Sequence, residues 1–321
     1  MKNFWENKKV LVTGAAGFIG SHAVETLVQK GAHVRAVVSR RTTKNRLQEM
    51  LGEVMQQIDI VYADLLNLEE CLTVTQNQDI ILNFAGMDGG ASFKRQYSAR
   101  IFSTNTRIAL NILDAAVENK IDRLLLMSSV EVYPKSATSP ISEEYALTKD
   151  FMHEGNGYVW SKRFIELAAK MYAHEYNLKI AIARMGNVFG PRDYAQTERE
   201  RVIPAFISKV LQDKPIVLLG NGLAKRSFLY VTDAVNALLS LVEVYAAYDP
   251  VNIVGSHYIT IKSLANEIGR LAKRKIGITI GSDNVITQNS IISSKKSKRY
   301  IGSYETTSLQ QGLLEILKTF K

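Results

Sequence analysis

Between the apolar run Val10-Leu11-Val12 and the amphipathic stretch 18–28 the chain reads Gly14-Ala-Ala-Gly17-Phe18-Ile19-Gly20. A glycine turn that follows a strand and opens a helix is the context in which such spacing carries meaning. Gly14 allows the tight turn, Gly17 lets the backbone come close to a pyrophosphate, and Gly20 lets the helix pack closely on the strand. The N–H groups at the helix start, around Phe18 and Ile19, have no partner within the helix and suit an anion. Taken alone, the turn also fits a tight bend with no ligand.

Apolar strand-like runs alternate with helical patterns through the first half of the 321 residues, the signature of a parallel sheet covered by helices on both faces. Strands are expected at 9–13, 32–38, 57–62, 79–84, 123–128 and 179–184, and helices at 18–29, 98–118 and 157–175. In the stretch 98–118, Ile101, Ile108, Leu110, Ile112, Leu113, Ala116 and Val117 recur at helical spacing, so one face must be buried. After Arg184 the pattern loosens. A turn-rich stretch at 186–200, a helix near 203–211 and short pieces across 216–230 look like a smaller ligand-capping region. Val231-Thr232-Asp233 begins a further helix, with Thr232 or Asp233 as its expected N-cap, and 251–254 returns a strand to the main sheet. Helices at 261–273 and 308–320 complete the smaller unit. The expected division is 1–185 plus about 225–255 for the nucleotide-binding domain, and about 186–224 plus 256–321 for the substrate-binding domain.

With 46% hydrophobic residues and only 6 prolines the chain is globular. No apolar run reaches the roughly 20 residues that span a bilayer, and the N-terminal stretch lacks a signal-like segment, so no membrane association and a cytoplasmic address are expected. The lone Cys71 cannot form an internal disulfide and reads as an inert, partly buried thiol. The five histidines fall at no metal-ligand spacing, so no metal is predicted. A net charge of +9 fits a nucleic-acid surface or anionic small ligands; without a recognised nucleic-acid motif, the second is preferred and no nucleic acid is expected. The basic run Lys295-Lys296-Ser297-Lys298-Arg299 reads as a solvated helix end or loop.

The chemistry-bearing stretch is Asn156-Gly157-Tyr158-Val159-Trp160-Ser161-Lys162. Tyr158 and Lys162 sit one turn apart on a predicted helix and share a face. A tyrosine near its usual pKa of about 10 is a poor base at neutral pH, but an adjacent ammonium favours the phenolate, so the pair is expected to make Tyr158 a proton relay. An amphipathic helix with an unrelated Tyr and Lys is the alternative. Upstream, Met127-Ser128-Ser129-Val130-Glu131 ends a strand in hydroxyls, at the carboxyl edge where open parallel sheets bind ligands.

The glycine turn, Asn83-Phe84-Ala85-Gly86, Ser129, Tyr158/Lys162, Arg184-Met-Gly-Asn187-Val-Phe-Gly-Pro191 and Arg226-Ser-Phe228 follow one another in an order that resembles the extended short-chain dehydrogenase/reductase family, of the NAD-dependent epimerase/dehydratase type. The likeness covers nearly the whole chain. It implies a doubly wound parallel-sheet Rossmann domain with a smaller C-terminal α/β substrate-binding domain. It also implies a catalytic set of Ser129, Tyr158 and Lys162: Tyr158 exchanges a proton with a sugar oxygen, Ser129 polarises that oxygen, and Lys162 holds the nicotinamide ribose. Asp64, followed by Leu65, matches the family's adenine-edge aspartate, and Phe84, Ala85 and Gly86 complete the cofactor wall. The second substrate implied is a nucleoside-diphosphate sugar, with Asn187 near its diphosphate, Arg226 as a phosphate contact and Val202 beside the base. A homodimer through helices 98–118 and 157–175 is also implied.

Val37-Val38-Ser39-Arg40-Arg41 closes the second strand without the acidic residue that binds a ribose 2′-hydroxyl. Two guanidiniums and a serine suit a 2′-phosphate, so NADP(H) is expected over NAD(H). Dehydratases of the resembled family carry an acidic pair, or a hydroxyl and an acid, after the catalytic hydroxyl; here the positions are Val130 and Glu131, and valine transfers no proton. Glu131 alone can act as an acid/base. The expected activity is NADPH-dependent reduction of a 4-keto-6-deoxy nucleoside-diphosphate sugar, as in the 4-ketoreductases. A sugar-nucleotide epimerase or 4,6-dehydratase is the alternative. A non-catalytic dinucleotide sensor on the same fold is the reading from a different class.

Overall fold

The computed structural model describes residues 3–134, 137, 139–147, 156–193, 201–218, 220–245, 247–281 and 291–319. Its first half runs β1 (Lys9–Thr13), α1 (Phe18–Gln29), β2 (His33–Val38), α2 (Lys44–Leu51), β3 (Asp59–Tyr62), α3 (Leu68–Thr75), β4 (Ile80–Asn83), α4 (Ala91–Gln96), α5 (Ser98–Glu118), β5 (Arg123–Ser129), α6 (Gly157–Tyr176) and β6 (Lys179–Met185). There follow β7 (Asn187–Phe189), α7 (Val202–Leu211), β8 (Ile216–Leu218), β9 (Lys225–Tyr230), α8 (Val231–Val244), β10 (Val251–Ile253), β11 (Tyr258–Thr260), α9 (Ile261–Leu271), β12 (Ile278–Ile280), α10 (Lys295–Ile301) and α11 (Leu309–Lys318).

Seven strands form one sheet in the order β10-β6-β5-β4-β1-β2-β3, every pairing parallel. Such a sheet is covered on both faces, so its central strands read as continuous apolar runs. Successive residues of β1 divide between two cores. Val10 and Val12 pack with Val24 and Leu27 of α1 and Leu238 and Leu241 of α8. Leu11 faces Ile112 and Leu113 of α5 and Ile165 and Ala169 of α6. A third core, from Ile207 of α7, Leu218 of β8, Leu264 of α9 and Leu313 of α11, lies beside two small sheets, β11-β9-β7 and β12-β8. This is the Rossmann-type α/β architecture with its strand order reversing beside β1. The regular β-α alternation ends at β6, and the chain re-enters the main sheet only at β10, which pairs with β6.

Two local expectations need correction. Neither Thr232 nor Asp233 caps α8: its N-cap is Tyr230, without a side-chain cap bond. Asp233 is 2% exposed and instead accepts from the backbone N–H groups of Thr306 at 3.0 Å and Thr307 at 2.9 Å, tying the segment before α11 to α8. Cys71 is fully buried, and burial pushes its thiol up to about 12. The end of the expected helix 308–320 lies, at Phe320, outside the described residues. Among the described residues no helix is long and apolar enough to cross a membrane.

Candidate active site

The glycine turn is built by close contact between the ends of β1 and β4. Gly14 has φ +62°, and a Cβ there would lie 2.9 Å from the Ala85 nitrogen. Thr13 Oγ1 donates to Asn83 Oδ1 at 2.6 Å and accepts from the Ala85 N–H at 3.1 Å, fixing Phe84, Ala85 and Gly86 against the turn. A Cβ on Gly20 would fall 2.3 Å from the Gly14 carbonyl oxygen, and one on Gly17 2.9 Å from it, so a larger residue at either position would displace the loop. The N-cap of α1 is Gly17, with no side-chain cap bond, which leaves the N–H groups around Phe18 and Ile19 available to an anion. This cradle opens onto a cleft of about 1350 Å³ at the strand-order reversal, where open α/β sheets take their ligands. The residues present fit a dinucleotide.

Ser39, Arg40 and Arg41 follow β2, and Asp64 and Leu65 follow β3; none of the five lines the main cleft. Arg40 Nη2 pairs with Glu70 Oε2 at 2.8 Å, and the same carboxylate oxygen accepts from the Asp64 N–H at 2.9 Å. Arg46 of α2 does line the cleft; no motif in the sequence marks it, because its place depends on how α2 packs after β2.

At the other end of the cleft, β5 delivers Ser129 and the first turn of α6 delivers Tyr158 and Lys162, all buried. Asn156 Oδ1 caps α6 by accepting from the N–H groups of Tyr158 at 3.0 Å and Val159 at 3.2 Å. Gly157 allows the helix to start there: its N–H donates to Ser98 Oγ at 2.7 Å, and a Cβ would sit 1.8 Å from the Ser98 carbonyl oxygen. Lys162 Nζ donates to the Met127 carbonyl at 2.7 Å and lies 5.5 Å from the Tyr158 ring centroid. Burial brings Lys162 down to about 8, with Asp88 opposing and Lys94 assisting.

The expected lowering of Tyr158 does not hold. Its phenol is raised well above 10 by burial, then by Asp88 and Glu131, with the Ser129 hydroxyl opposing. The desolvation of a buried phenolate outweighs a lysine committed to a backbone carbonyl. Tyr158 is therefore held as a protonated donor. Lys94 of α4, 6% exposed, reaches the same place. Its Nζ lies 2.5 Å from Glu131 Oε1, 3.1 Å from Asp88 Oδ1 and 3.7 Å from the Tyr158 ring centroid. Burial disfavours its charge, but Asp88 and Glu131 outweigh that and raise its pKa. Asp88 and Lys94 belong to none of the motifs singled out in the sequence. Lys94 stands in the last turn of α4, and nothing in its spacing distinguishes it from a solvent-facing lysine until the fold closes over it.

Residues 10–254 match the NAD dependent epimerase/dehydratase family. The chain belongs to that family. A Streptomyces relative described as dTDP-4-dehydro-6-deoxy-D-allose reductase is 30% identical over 321 residues, covering 99% of this chain and 97% of its own. GDP-mannose 3,5-epimerase of Arabidopsis thaliana is 28% identical, with 97% and 82% covered. The structure of UDP-glucose 4-epimerase with UDP-glucose from Thermotoga maritima superimposes with a TM-score of 0.86 at 23% identity, covering 97% and 98%, a likeness of fold. This epimerase/dehydratase-family chain is an NAD(P)-dependent enzyme of the extended short-chain dehydrogenase/reductase kind.

The rest of the family cleft is walled by β7, β9 and α7. Asn187, Val202 and Arg226 all line it. Asn187 Nδ2 donates to the Ser227 carbonyl at 3.1 Å, which joins β7 to β9, and burial lowers the Arg226 pKa. The structure adds Arg201 and Asp193, paired at 3.4 Å. Burial raises Asp193 to about 6 against the pull of Arg201, and its Oδ2 is buried without a hydrogen-bond partner.

Beneath the reacting centre a buried network supports β5 and β6. Arg184 binds Glu166 through Nε at 2.8 Å and Nη2 at 2.7 Å. Ser128 Oγ donates to the same carboxylate at 2.5 Å, and Tyr133 hydroxyl donates to Asn252 Oδ1 at 2.6 Å.

Proposed function

We propose that the protein reduces the carbonyl of a 4-keto-6-deoxy nucleoside-diphosphate sugar with NADPH. The observation that carries this reading is the convergence of Tyr158, Ser129 and Lys162, all buried, in the cleft that also contains the glycine cradle. Reduction needs a proton donor for the carbonyl oxygen as the carbon gains hydride, and a protonated phenol meets that need. When bound, the nicotinamide supplies the hydride. Tyr158 gives its proton to the sugar oxygen, Ser129 donates a hydrogen bond to that oxygen, and Lys162 holds the ribose and the polarity of the site. Asn187, Arg226 and Val202 hold the nucleoside diphosphate, whose charge needs cationic and N–H partners.

NADPH is favoured over NADH because no acidic side chain closes β2, where Ser39, Arg40 and Arg41 stand. Arg40 exchanges its exposed pairing with Glu70 for the 2′-phosphate, and Arg46 flanks the cofactor from α2. NADH binding as tightly as NADPH in a calorimetric titration would remove this part of the reading.

A second reading, epimerisation with internal return of the hydride, is supported by the Glu131 carboxylate in the cleft, an acid/base group that reduction alone does not employ. Purified protein mixed with NADPH and a panel of 4-keto-6-deoxy sugar nucleotides separates the two. Equimolar loss of NADPH with appearance of a reduced sugar supports the reductase; a changed sugar with no NADPH loss supports the epimerase.

The two-domain division at 1–185 plus 225–255 against the remainder belongs to this proposal. So does a homodimer through α5 and α6, whose outer faces leave Phe102, Leu167, Met171 and Tyr176 exposed.

A further inference from the structure

Protonation of a carbonyl oxygen by a tyrosine leaves a phenolate behind, and the two lysines near Tyr158 are unequally placed to stabilise it. Lys162 Nζ is 5.5 Å from the ring centroid and donates to the Met127 carbonyl. Lys94 Nζ stands over the ring at 3.7 Å, inside the range in which a cation interacts with an aromatic face. It is held there from two sides. Asp88 comes from the loop after β4, which Asn105 of α5 fixes by accepting from the Met87 N–H at 2.6 Å and donating to its carbonyl at 3.1 Å. Glu131 comes from the turn after β5, whose N–H donates to Ser129 Oγ at 3.2 Å. A long lysine side chain normally points its ammonium to water. Here it is 6% exposed and clamped by two carboxylates, an arrangement that costs desolvation.

We infer that Lys94, clamped by Asp88 and Glu131 against the ring of Tyr158, is a positioning residue that supplies the second cation stabilising the Tyr158 phenolate as its proton passes to the sugar oxygen. The inference rests on the proposed reductive role of Tyr158. In the step itself the Tyr158 O–H bond breaks, the proton joins the sugar C4 oxygen as C4 accepts hydride, and the negative charge left on the phenol spreads into the ring beneath Lys94. A solvent proton then restores the phenol. The groups facing the phenol are Asp88 from the β4 loop, Lys94 from α4, Ser129 and Glu131 from the end of β5, Lys162 from α6 and Arg201 from the start of α7.

The test replaces Tyr158 with 3,5-difluorotyrosine, whose fluorines bring the phenol into an accessible pH range and report its ionisation by ¹⁹F NMR in the full-length protein. Lys94→Met is expected to move that titration upward by about one pH unit or more, while Lys94→Arg, which keeps a cation, restores most of it. With Tyr158 intact, Lys94→Met is expected to lower kcat roughly tenfold, leaving KM and NADPH affinity near those of the wild type. An unchanged ¹⁹F midpoint in Lys94→Met, with NADPH affinity retained as the measure of folding, overturns the inference. Equal losses from Lys94→Met and Lys94→Arg in kcat, without a midpoint shift in either, do the same, because they describe packing rather than charge. If the wild-type protein reduces no sugar nucleotide, the reductase reading fails, while the fluorine titration still decides whether Lys94 sets the ionisation of Tyr158.

Discussion

At the scale of single residues, the reacting centre depends on what burial does to two groups one helical turn apart. Tyr158→Phe removes the donor and is expected to lower turnover by about 10²-fold or more while sparing NADPH binding; parallel NADPH-consumption and fluorescence titrations check both halves. Lys162 titrates near 8 because burial disfavours its charge. For NADPH, kcat/KM is therefore expected to fall as pH rises through about 8, where the free enzyme loses this cation, and Lys162→Arg should move that limb to higher pH. The sign for stability is opposite. The folded value lies below that of free lysine, so between about pH 8 and 10.4 the unfolded chain binds more protons, and the group's contribution to stability rises with pH there. Ser129, Tyr158 and Lys162 could be found in the sequence because strand end and helix spacing place them. The direction of the Tyr158 shift could not, because it is set first by burial once the fold closes over the phenol, and then by Asp88 and Glu131, which come from two other loops.

Among elements, the contact between α5 and α6 has the least tolerance. Gly157 brings the start of α6 onto the Ser98 carbonyl at a separation no Cβ can occupy. Gly157→Ala is expected to displace Tyr158 and depress kcat while the fold persists, which near-ultraviolet circular dichroism together with kinetics would show. Its motif was visible in the sequence, but the steric reason was not, since Ser98 lies on another helix. The bounds of α1 and α5 followed from apolar periodicity because each buries a continuous stripe. The start of α8 did not, because Asp233 is engaged by Thr306 and Thr307 rather than by its own helix. Between β6 and α6, the bidentate Arg184–Glu166 pair is 2% and 12% exposed. Breaking one side leaves a buried charge alone, so Arg184→Met is expected to cost about 3–5 kcal/mol in urea-unfolding free energy, and adding Glu166→Leu should recover part of it.

For the whole molecule, the proposed homodimer concerns the same pair of helices that carry the reacting centre. Leu167 and Met171, one turn apart on α6, are 53% and 57% exposed. The double substitution Leu167→Glu with Met171→Glu should shift the protein to monomer in sedimentation velocity, whereas an unchanged sedimentation coefficient would remove this interface. The parallel sheet was legible from alternation alone, while the capping region was not resolved to its small sheets, because strands as short as β7, β8 and β11 are set by partners distant in sequence. The same connectivity governs how the chain is made. β6 is complete at Met185, yet its outer edge receives β10 only at Val251–Ile253, after the intervening capping segment has been synthesised. Until then a nascent chain emerging from the ribosome exposes the unpaired backbone of β6, a template for pairing with other chains. Asn252, which accepts from Tyr133 beneath the site, arrives with that late strand. One strand thus both covers the open edge of β6 and brings Asn252 to the catalytic floor.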